Sequence, residues 1–156
     1  MSGVGSPAIH LSGLSDVKVA IVASMWHDEI MTGLINGALE TCREAGVVDP
    51  KLVRVTGSFE LPVVSRALTQ RGYDAVIALG VIIRGGTPHF EYVSAATSEG
   101  LVRVAVDSGV PVGFGLLTCD DEQQARDRAG LPGSRENKGR EAAEAALSTA
   151  VTLRTL

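Results

Sequence analysis

Residues 75–83 read AVIALGVII, the longest uninterrupted apolar run in the chain, and Asp74 and Arg84 close it on either side. Nine residues are too few to cross a bilayer as a helix, which takes about 20. A short run that is apolar at every position is typical of a strand covered on both faces of a parallel sheet. The run therefore predicts a buried strand over residues 74–83 and a fold of the α/β class around it.

Shorter apolar runs and amphipathic stretches alternate on either side of this run. We predict strands over residues 17–24, 52–56, 74–83 and 110–117, and helices over residues 28–45, 60–70, 88–107, 121–129 and 137–156. Such alternation predicts a mainly four-stranded parallel sheet between two layers of helices, a three-layer αβα sandwich. No linker or repeat divides residues 17–156, so we predict one domain, preceded by a flexible arm over residues 1–16 that is rich in Gly, Ser and Pro.

The overall composition narrows the class of partner. The 156 residues are 45% hydrophobic and 21% charged, with a formal charge of −4. This balance is that of a globular protein, and it provides no basic surface for nucleic acid or an anionic membrane. The N-terminus lacks the features of a signal peptide, and Cys42 and Cys119 have no Cys-x-x-C spacing. We therefore expect two reduced thiols, no metal site and a cytoplasmic protein.

Four segments are expected to meet in space. Ligands of open parallel sheets bind beyond the carboxyl ends of the strands. The predicted strands end at, or lead into, residues 24–27, 57–60, 81–89 and 113–115. A binding site is therefore predicted where these segments converge.

The segment Arg84-Gly85-Gly86-Thr87-Pro88-His89 links the central strand to the next helix. Thr87 is in the place of an N-cap, and Pro88 in that of the first helical residue. Backbone N–H groups at such a start, with two glycines that leave them open, form a natural phosphate cradle. A tight turn that needs glycine for its backbone geometry alone explains the two glycines equally well.

His89 would lie in the first turn of that helix. The positive end of the helix dipole disfavours an imidazolium, so the ring is expected to be neutral and able to accept a proton. The alternative is a capping or surface histidine. We assign no role to His10, and we interpret His27 as structural or peripheral.

Trp26 is the only tryptophan and follows the first predicted strand. A large flat ring in that position suits stacking on a planar heterocycle, although it would also serve to fill the core. The same two interpretations apply to Phe59 and Phe114.

Three charged residues are ambiguous in the same way. Glu60 is either an acceptor for a polyol or an acidic residue in the first turn of its helix. Arg128 and Lys138 are either ligands of the site or ordinary surface charges.

Six short motifs are spread along the chain. They read A-S-x-W-H at residues 23–27, G-S-F-E-L-P at 57–62, G-V-I-I-R-G-G-T-P-H-F-E-Y-V at 80–93, G-L-L-T at 115–118, D-R-A-G at 127–130 and N-K-G at 137–139. Their order and spacing resemble those of the lumazine synthase family over nearly the whole chain. The third motif, which ends in His-Phe-Glu-Tyr-Val, is the most specific.

The resemblance implies a flavodoxin-like fold and a transferase of riboflavin biosynthesis. Members of this family condense 5-amino-6-(D-ribitylamino)uracil with 3,4-dihydroxy-2-butanone 4-phosphate. The products are 6,7-dimethyl-8-ribityllumazine, phosphate and water. No metal and no organic cofactor is implied.

The resemblance also implies roles for individual residues. Trp26 would stack on the pyrimidine, and His89 would move protons during imine formation and phosphate elimination. The other implied contacts are with the pyrimidine (Ser58, Phe59, Val81, Ile82, Ile83 and Phe114), the ribityl chain (Glu60 and Lys138) and the phosphate (Gly85, Gly86, Thr87 and Arg128). Gly86 is smaller than the side chain often found there, which is expected to loosen the phosphate contact.

The family builds its active sites between neighbouring subunits, so Phe114, Arg128 and Lys138 would come from a partner chain. Members that form icosahedral shells carry a compact Gly-Thr-Lys-x-Gly-Asn turn, whereas this chain reads L-P-G-S-R-E over residues 131–136. We therefore expect a homopentamer or a decamer rather than a capsid of sixty subunits.

Three other functions fit the same fold. A non-catalytic flavin- or lumazine-binding module would keep Trp26 but would not need His89 and Arg128 together. A structural shell protein is disfavoured by the long connection over residues 131–136. A relative that dismutates lumazine to riboflavin has no phosphate substrate, so the phosphate contacts favour the synthase.

Overall fold

The computed structural model describes residue 5 and residues 7–156. Within them the chain forms a parallel sheet of four strands, in the order β2-β1-β3-β4. The strands are β1 (Val19–Ser24), β2 (Lys51–Val55), β3 (Ala75–Ile83) and β4 (Val112–Cys119). The predicted four-stranded parallel sheet is therefore confirmed.

Strand β3 lies in the interior of the sheet because it pairs on both edges. Its start is in register with β1, where Val19 is opposite Ala75, and it pairs with β4 along its whole length up to Ile83. All residues from Ala75 to Val81 are buried. The edge strand β2 is more exposed, and only Val55 of it is buried.

Helices cover both faces of the sheet. They are α1 (Asp28–Glu44), α2 (Leu61–Thr69), α3 (His89–Ser108), α4 (Glu122–Arg126) and α5 (Lys138–Arg154). A short 3₁₀ turn, Ser58–Glu60, precedes α2. One apolar core lies between the sheet and α1 and α5, and the other lies between the sheet and α2 and α3. This arrangement is the predicted three-layer αβα sandwich.

The alternation of side chains along each strand divides the apolar residues between the two cores. In β1, Val19, Ile21 and Ala23 face α1 and α5. Ala20 and Val22 face the opposite layer. Because both faces of β1 and β3 are covered, these strands are apolar at every position, as the sequence pattern indicated.

The predicted ends of α4 and β4 were wrong, by three and by two residues. Helix α4 ends at Arg126 instead of Ala129, because the carbonyl of Asp127 accepts hydrogen bonds from the backbone of Arg135 and Glu136 and the chain turns there. Strand β4 runs on to Cys119 instead of ending at Leu117, because its last residues still pair with the end of β3.

Part of the predicted N-terminal arm falls on residues 1–4 and 6, which lie outside the described residues. Residues 7–14 form neither helix nor strand, but Leu14 is buried and its N–H donates to the carbonyl of Ala45 at 3.0 Å. Leu11 also packs against the core under α1 and α5. The flexibility of the arm as a whole stays a prediction.

Cys42 and Cys119 are free and buried, in agreement with two reduced thiols in the core. Burial raises the pKa of Cys42 to about 11, which disfavours the reactive thiolate. Among the described residues, no helix is both long and apolar enough to cross a membrane.

Helices α1 and α5 cross so closely that the contact requires glycine. A Cβ atom at Gly139 would lie 2.0 Å from the carbonyl oxygen of Leu34. We expect Gly139→Ala to separate the helices and to lower the free energy of unfolding by about 1–3 kcal/mol. Urea denaturation at matched protein concentration measures the change.

Gly85→Ala is the matched control for this substitution. A Cβ at Gly85 would meet nothing within 4 Å, and its φ is not positive. Its stability should be unchanged or higher by about 0.4–1 kcal/mol, because alanine restricts the unfolded chain. Equal stability of Gly139→Ala and Gly85→Ala would contradict the close crossing.

Candidate active site at the carboxyl ends of the strands

A cavity of about 360 Å³ opens at the carboxyl ends of β1 and β3. Three of the four segments that were expected to converge supply its lining. The lining residues are Trp26, His27, Gly57, Ser58, Phe59, Val81, Ile82, Ile83, Gly85, Thr87, His89, Phe90 and Val93. A second depression, of about 330 Å³, lies between the N-terminal segment and α5 and contains none of the predicted site residues.

The floor of the cavity is the end of β3, from Val81 to Ile83. The hydroxyl of Ser58 is buried and donates to the carbonyl of Val81 at 3.3 Å, which joins the 3₁₀ turn to the strand. This contact depends on Gly80, because a Cβ there would lie 2.6 Å from Ser58 Oγ. The backbone edge of residues 81–83 is thus held where a planar ligand would reach it.

Two large aromatic rings stand in solvent at the cavity. Trp26 is 65% exposed and Phe59 is 60% exposed. Neither ring fills the core, so the structure removes that alternative for both. Phe114 is also exposed, but it lies in the middle of β4 and does not line this cavity.

His27 lies in the cavity wall, within the segment 24–27 that was expected to converge there, although the sequence suggested only a structural or peripheral role. His27 has φ 58° and ψ 62°, a left-handed conformation that few residues other than glycine adopt. It forms the turn between β1 and α1, next to Trp26. In the sequence, its place next to Trp26 indicated that His27 lies at the site. The residue type alone does not predict the left-handed backbone. Gly57 lies within the predicted segment 57–60, whereas Phe90 and Val93 also line the cavity and were missed.

The glycines between β3 and α3 are not required by the backbone. Gly85 and Gly86 do not have positive φ, and a Cβ at either one would meet nothing within 4 Å. A turn that needs glycine for its own geometry is therefore not the explanation. The small residues leave the backbone N–H groups of this loop open to an approaching group.

The predicted N-cap at Thr87 was wrong. Pro88 is the N-cap residue, and α3 begins at His89. Proline has no side-chain acceptor, so it does not cap the first N–H groups of α3. Thr87 is exposed and lines the cavity instead.

His89 is the first residue of α3, is exposed and lines the cavity. Its ring is therefore at the positive end of a helix of 20 residues and in contact with the open space. A group placed in the cavity would lie within reach of both the imidazole and the open helix start.

Three predicted site residues lie away from this cavity. Phe114 is on β4, Arg128 follows α4, and Lys138 begins α5. The guanidinium of Arg128 donates to the carbonyl of Gln124 at 2.7 Å. A single chain therefore does not bring them together with His89.

Lys138 is paired with acidic groups. Its Nζ lies 2.7 Å from a carboxylate oxygen of Glu136 and 2.8 Å from one of Glu141. Burial alone lowers the pKa of Lys138, but the hydrogen bonds to these carboxylates outweigh it and the net shift is upward. Lys138 thus stays charged at neutral pH.

Glu60 lies at the rim of the cavity without lining it. Its Oε2 accepts a hydrogen bond from the N–H of Gly57 at 2.8 Å. The second carboxylate oxygen has no such bond to Gly57, so the group keeps accepting capacity towards a ligand.

The fold and this cavity define an α/β protein of the class that binds ligands beyond the carboxyl ends of parallel strands. The sequence profile of the 6,7-dimethyl-8-ribityllumazine synthase family matches residues 16–154. The chain belongs to this family.

Curated relatives cover the chain from end to end. A 6,7-dimethyl-8-ribityllumazine synthase of Leifsonia xyli is 61% identical, over 100% of this chain and 99% of its own length. One from Paenarthrobacter aurescens is 60% identical over 99% of this chain and 98% of its own length. One from Streptomyces coelicolor is 58% identical over 100% of this chain and 97% of its own length.

Proposed function

We propose that this chain condenses 5-amino-6-(D-ribitylamino)uracil with 3,4-dihydroxy-2-butanone 4-phosphate to 6,7-dimethyl-8-ribityllumazine. The observation that carries the proposal is the cavity in which exposed aromatic rings, a strand edge, an open helix start and His89 meet. Phosphate and water are released, and the reaction needs no metal and no organic cofactor. We also propose that it takes place in the cytoplasm, in keeping with two free thiols.

The pyrimidine would lie against the indole of Trp26, with Phe59 beside it. Both rings are exposed at the cavity, and a planar ring with a polyol tail needs an aromatic face and a few polar anchors. The backbone of Ser58 and of residues 81–83 would hold the polar edge of the ring. Glu60, at the cavity rim, would accept hydrogen bonds from the ribityl hydroxyls, together with Lys138 of the partner subunit.

The phosphate would lie at the loop over residues 85–87, next to the start of α3. The open N–H groups of this loop and the helix dipole favour an anion there. A chain with a formal charge of −4 attracts phosphate only through such local groups. Arg128 of the partner subunit would supply the positive charge that this loop lacks.

His89 would move the protons of the reaction. The 5-amino group of the pyrimidine attacks the ketone, and a first water leaves as the imine forms. Elimination then releases phosphate and gives an enol, which tautomerises to a ketone. The ribitylamino nitrogen attacks this ketone and closes the ring with loss of a second water. Each step transfers a proton near the phosphate, where the imidazole of His89 lies. Most of the acceleration should come from holding the two substrates together, and the acid–base part adds to it.

Several exposed apolar groups support assembly into an oligomer. Val102 and Val106 of α3 are 60% and 76% exposed, and Phe114 is 49% exposed. Large apolar side chains that are exposed in an isolated chain often mark a surface that another chain covers. We propose a homopentamer, alone or paired into a decamer, in which Phe114, Arg128 and Lys138 of one subunit complete the cavity of its neighbour.

The first prediction concerns the reaction and His89. The purified chain should accelerate lumazine formation above the spontaneous rate, with one phosphate released per lumazine. His89→Ala should lower kcat by roughly 10²–10⁴-fold without abolishing activity, because substrate positioning remains. Absorbance follows the lumazine, and a phosphate assay follows the second product.

Three outcomes separate the proposals from one another. An unchanged kcat in His89→Ala would remove His89 from the mechanism. Binding of the pyrimidine or of riboflavin without any acceleration by the unsubstituted chain would favour the non-catalytic binding module. Riboflavin formation from lumazine, without a phosphate substrate, would favour the dismutating relative.

The second prediction tests whether sites are shared between subunits. His89→Ala and Arg128→Ala should each be poorly active, and mixed oligomers of the two should regain activity. Reassembly creates some sites in which an intact His89 faces an intact Arg128 from the neighbouring chain. Unfolding and refolding the two variants together, and each alone as the control, provides the comparison.

No regain of activity in the mixture would place both residues in one chain's site. Light scattering on the unsubstituted chain determines the assembly independently. A mass of five or ten chains is expected, and a particle of capsid mass would contradict the pentamer.

A further inference from the structure

Arg84 is the first residue after β3, and its backbone is fixed. Its N–H donates to the carbonyl of Cys119 at 2.9 Å, which continues the pairing of β3 with β4 by one residue. The side chain therefore starts from a rigid point at the edge of the sheet. It does not line the cavity.

The guanidinium of Arg84 contacts two other elements at once. Its Nε donates to Asp120 Oδ1 at 2.8 Å, just beyond the end of β4. Its Nη1 donates to Glu91 Oε1 in the first turn of α3. The Cζ atom also lies 4.2 Å from the centre of the Phe90 ring. One planar group thus ties the first turn of α3 to the ends of two strands.

The two carboxylates make Arg84 unsuitable as a phosphate ligand in this conformation. The hydrogen bonds with Asp120 and then Glu91 raise the pKa of Arg84, and the bond to Arg84 lowers the pKa of both carboxyl groups. All three groups are therefore charged at neutral pH, and the positive charge is already compensated. The geometry indicates that Arg84 holds structure rather than substrate.

The loop before α3 and its N-cap residue make few side-chain contacts of their own. Its N-cap residue Pro88 makes no side-chain hydrogen bond, and Gly85 and Gly86 are so open that an added Cβ would touch nothing. The loop that carries His89 is therefore not packed by its own side chains. The contacts of Arg84 with Phe90 and Glu91 therefore join the end of β3 directly to the first turn of α3, across this loop.

We propose that Arg84 is a positioning residue of the reaction, which holds the first turn of α3, and with it His89, in place over the cavity. The proposal rests on the proposed function of His89. Arginine is required because its planar fork engages two carboxylates and stacks on a ring at the same time. A lysine would make only one of these contacts.

The test compares Arg84→Ala and Arg84→Lys with the control Arg154→Ala. Arg154 also pairs with two carboxylates, of Asp16 and Asp74, and its side chain is 41% exposed against 43% for Arg84. Its partner Asp74 precedes β3, at the opposite end of the strand from the cavity. The two arginines therefore share pairing with two carboxylates but differ in location, and only Arg84 among them also contacts an aromatic ring.

We expect Arg84→Ala to lower kcat by about 10–100-fold, the effect of a small misplacement of a reacting group. KM for both substrates should change much less, and Arg84→Lys should give an intermediate kcat. Arg154→Ala should keep the kcat of the unsubstituted chain. Each of the three should lower the melting temperature by only about 2–4 °C, as for exposed ion pairs.

A double-mutant cycle with Glu91→Ala identifies the path of the effect. Glu91 does not line the cavity, and its side chain accepts a hydrogen bond from Arg84. The double variant should be no slower than Arg84→Ala alone. Substrate binding is followed separately through the fluorescence of Trp26, the only tryptophan and a residue of the cavity wall.

Hydrogen exchange supplies a readout that does not depend on activity. The amides of residues 84–92 should exchange faster in Arg84→Ala and Glu91→Ala than in Arg154→Ala. Unchanged exchange in this segment would overturn the positioning role of Arg84, whether or not the unsubstituted chain is active. An inactive unsubstituted chain would instead contradict the proposed function, and the exchange result would still test the contact.

Three kinetic results would also overturn it. The first is an unchanged kcat in Arg84→Ala while His89→Ala is slow. The second is a rise confined to KM for the butanone phosphate, which would make Arg84 a direct ligand. The third is fully additive effects of Arg84→Ala and Glu91→Ala.

Discussion

The burial of β3 on both faces is the constraint on which the rest of the structure depends. Its backbone is paired with β1 and β4, and its side chains alternate between the two apolar cores. Helices must therefore cover both faces of the sheet, which leaves the carboxyl end of the strand as the place where the chain can open to solvent. The cavity begins there, at Val81 to Ile83, and the loop that carries His89 starts one residue further on.

The two helical layers differ in how closely they pack and in how much apolar surface they expose. Under α1 and α5 the packing is so close that Gly139 contacts the backbone of Leu34. The layer of α2 and α3 packs on the sheet through few large buried side chains, of which Leu61 and Leu101 are the main ones, and exposes Val102 and Val106 outward. In the proposed oligomer a neighbouring subunit would cover Val102 and Val106 and would supply Arg128, which does not line the cavity of its own chain. The proposed function and the proposed assembly therefore depend on each other.

Local charges, rather than the field of the whole chain, organise the candidate site. The chain is acidic overall, so an anionic substrate is attracted only at the open start of α3 and by single basic groups. Arg84 is held by Asp120 and Glu91, whereas Arg128 donates a hydrogen bond to the neutral carbonyl of Gln124. This difference in pairing supports a positioning role for the first and a ligand role for the second.

The sequence by itself determined the class of the fold and most of the candidate site. An apolar run such as 75–83 can be satisfied only by cover on both faces, and the carboxyl ends of parallel strands must meet, so Trp26, Ser58 and His89 were predicted to lie together. It did not predict the left-handed turn at His27, the end of α4 at Arg126 or the missing cap at Thr87. Only the tertiary structure decided these, and also that Trp26 and Phe59 face solvent and that Arg84 reaches Glu91. The end of α4 and the reach of Arg84 depend on hydrogen bonds between specific residues, of Asp127 with Arg135 and Glu136 and of Arg84 with Glu91. The predicted features follow instead from the periodicity of neighbouring residues.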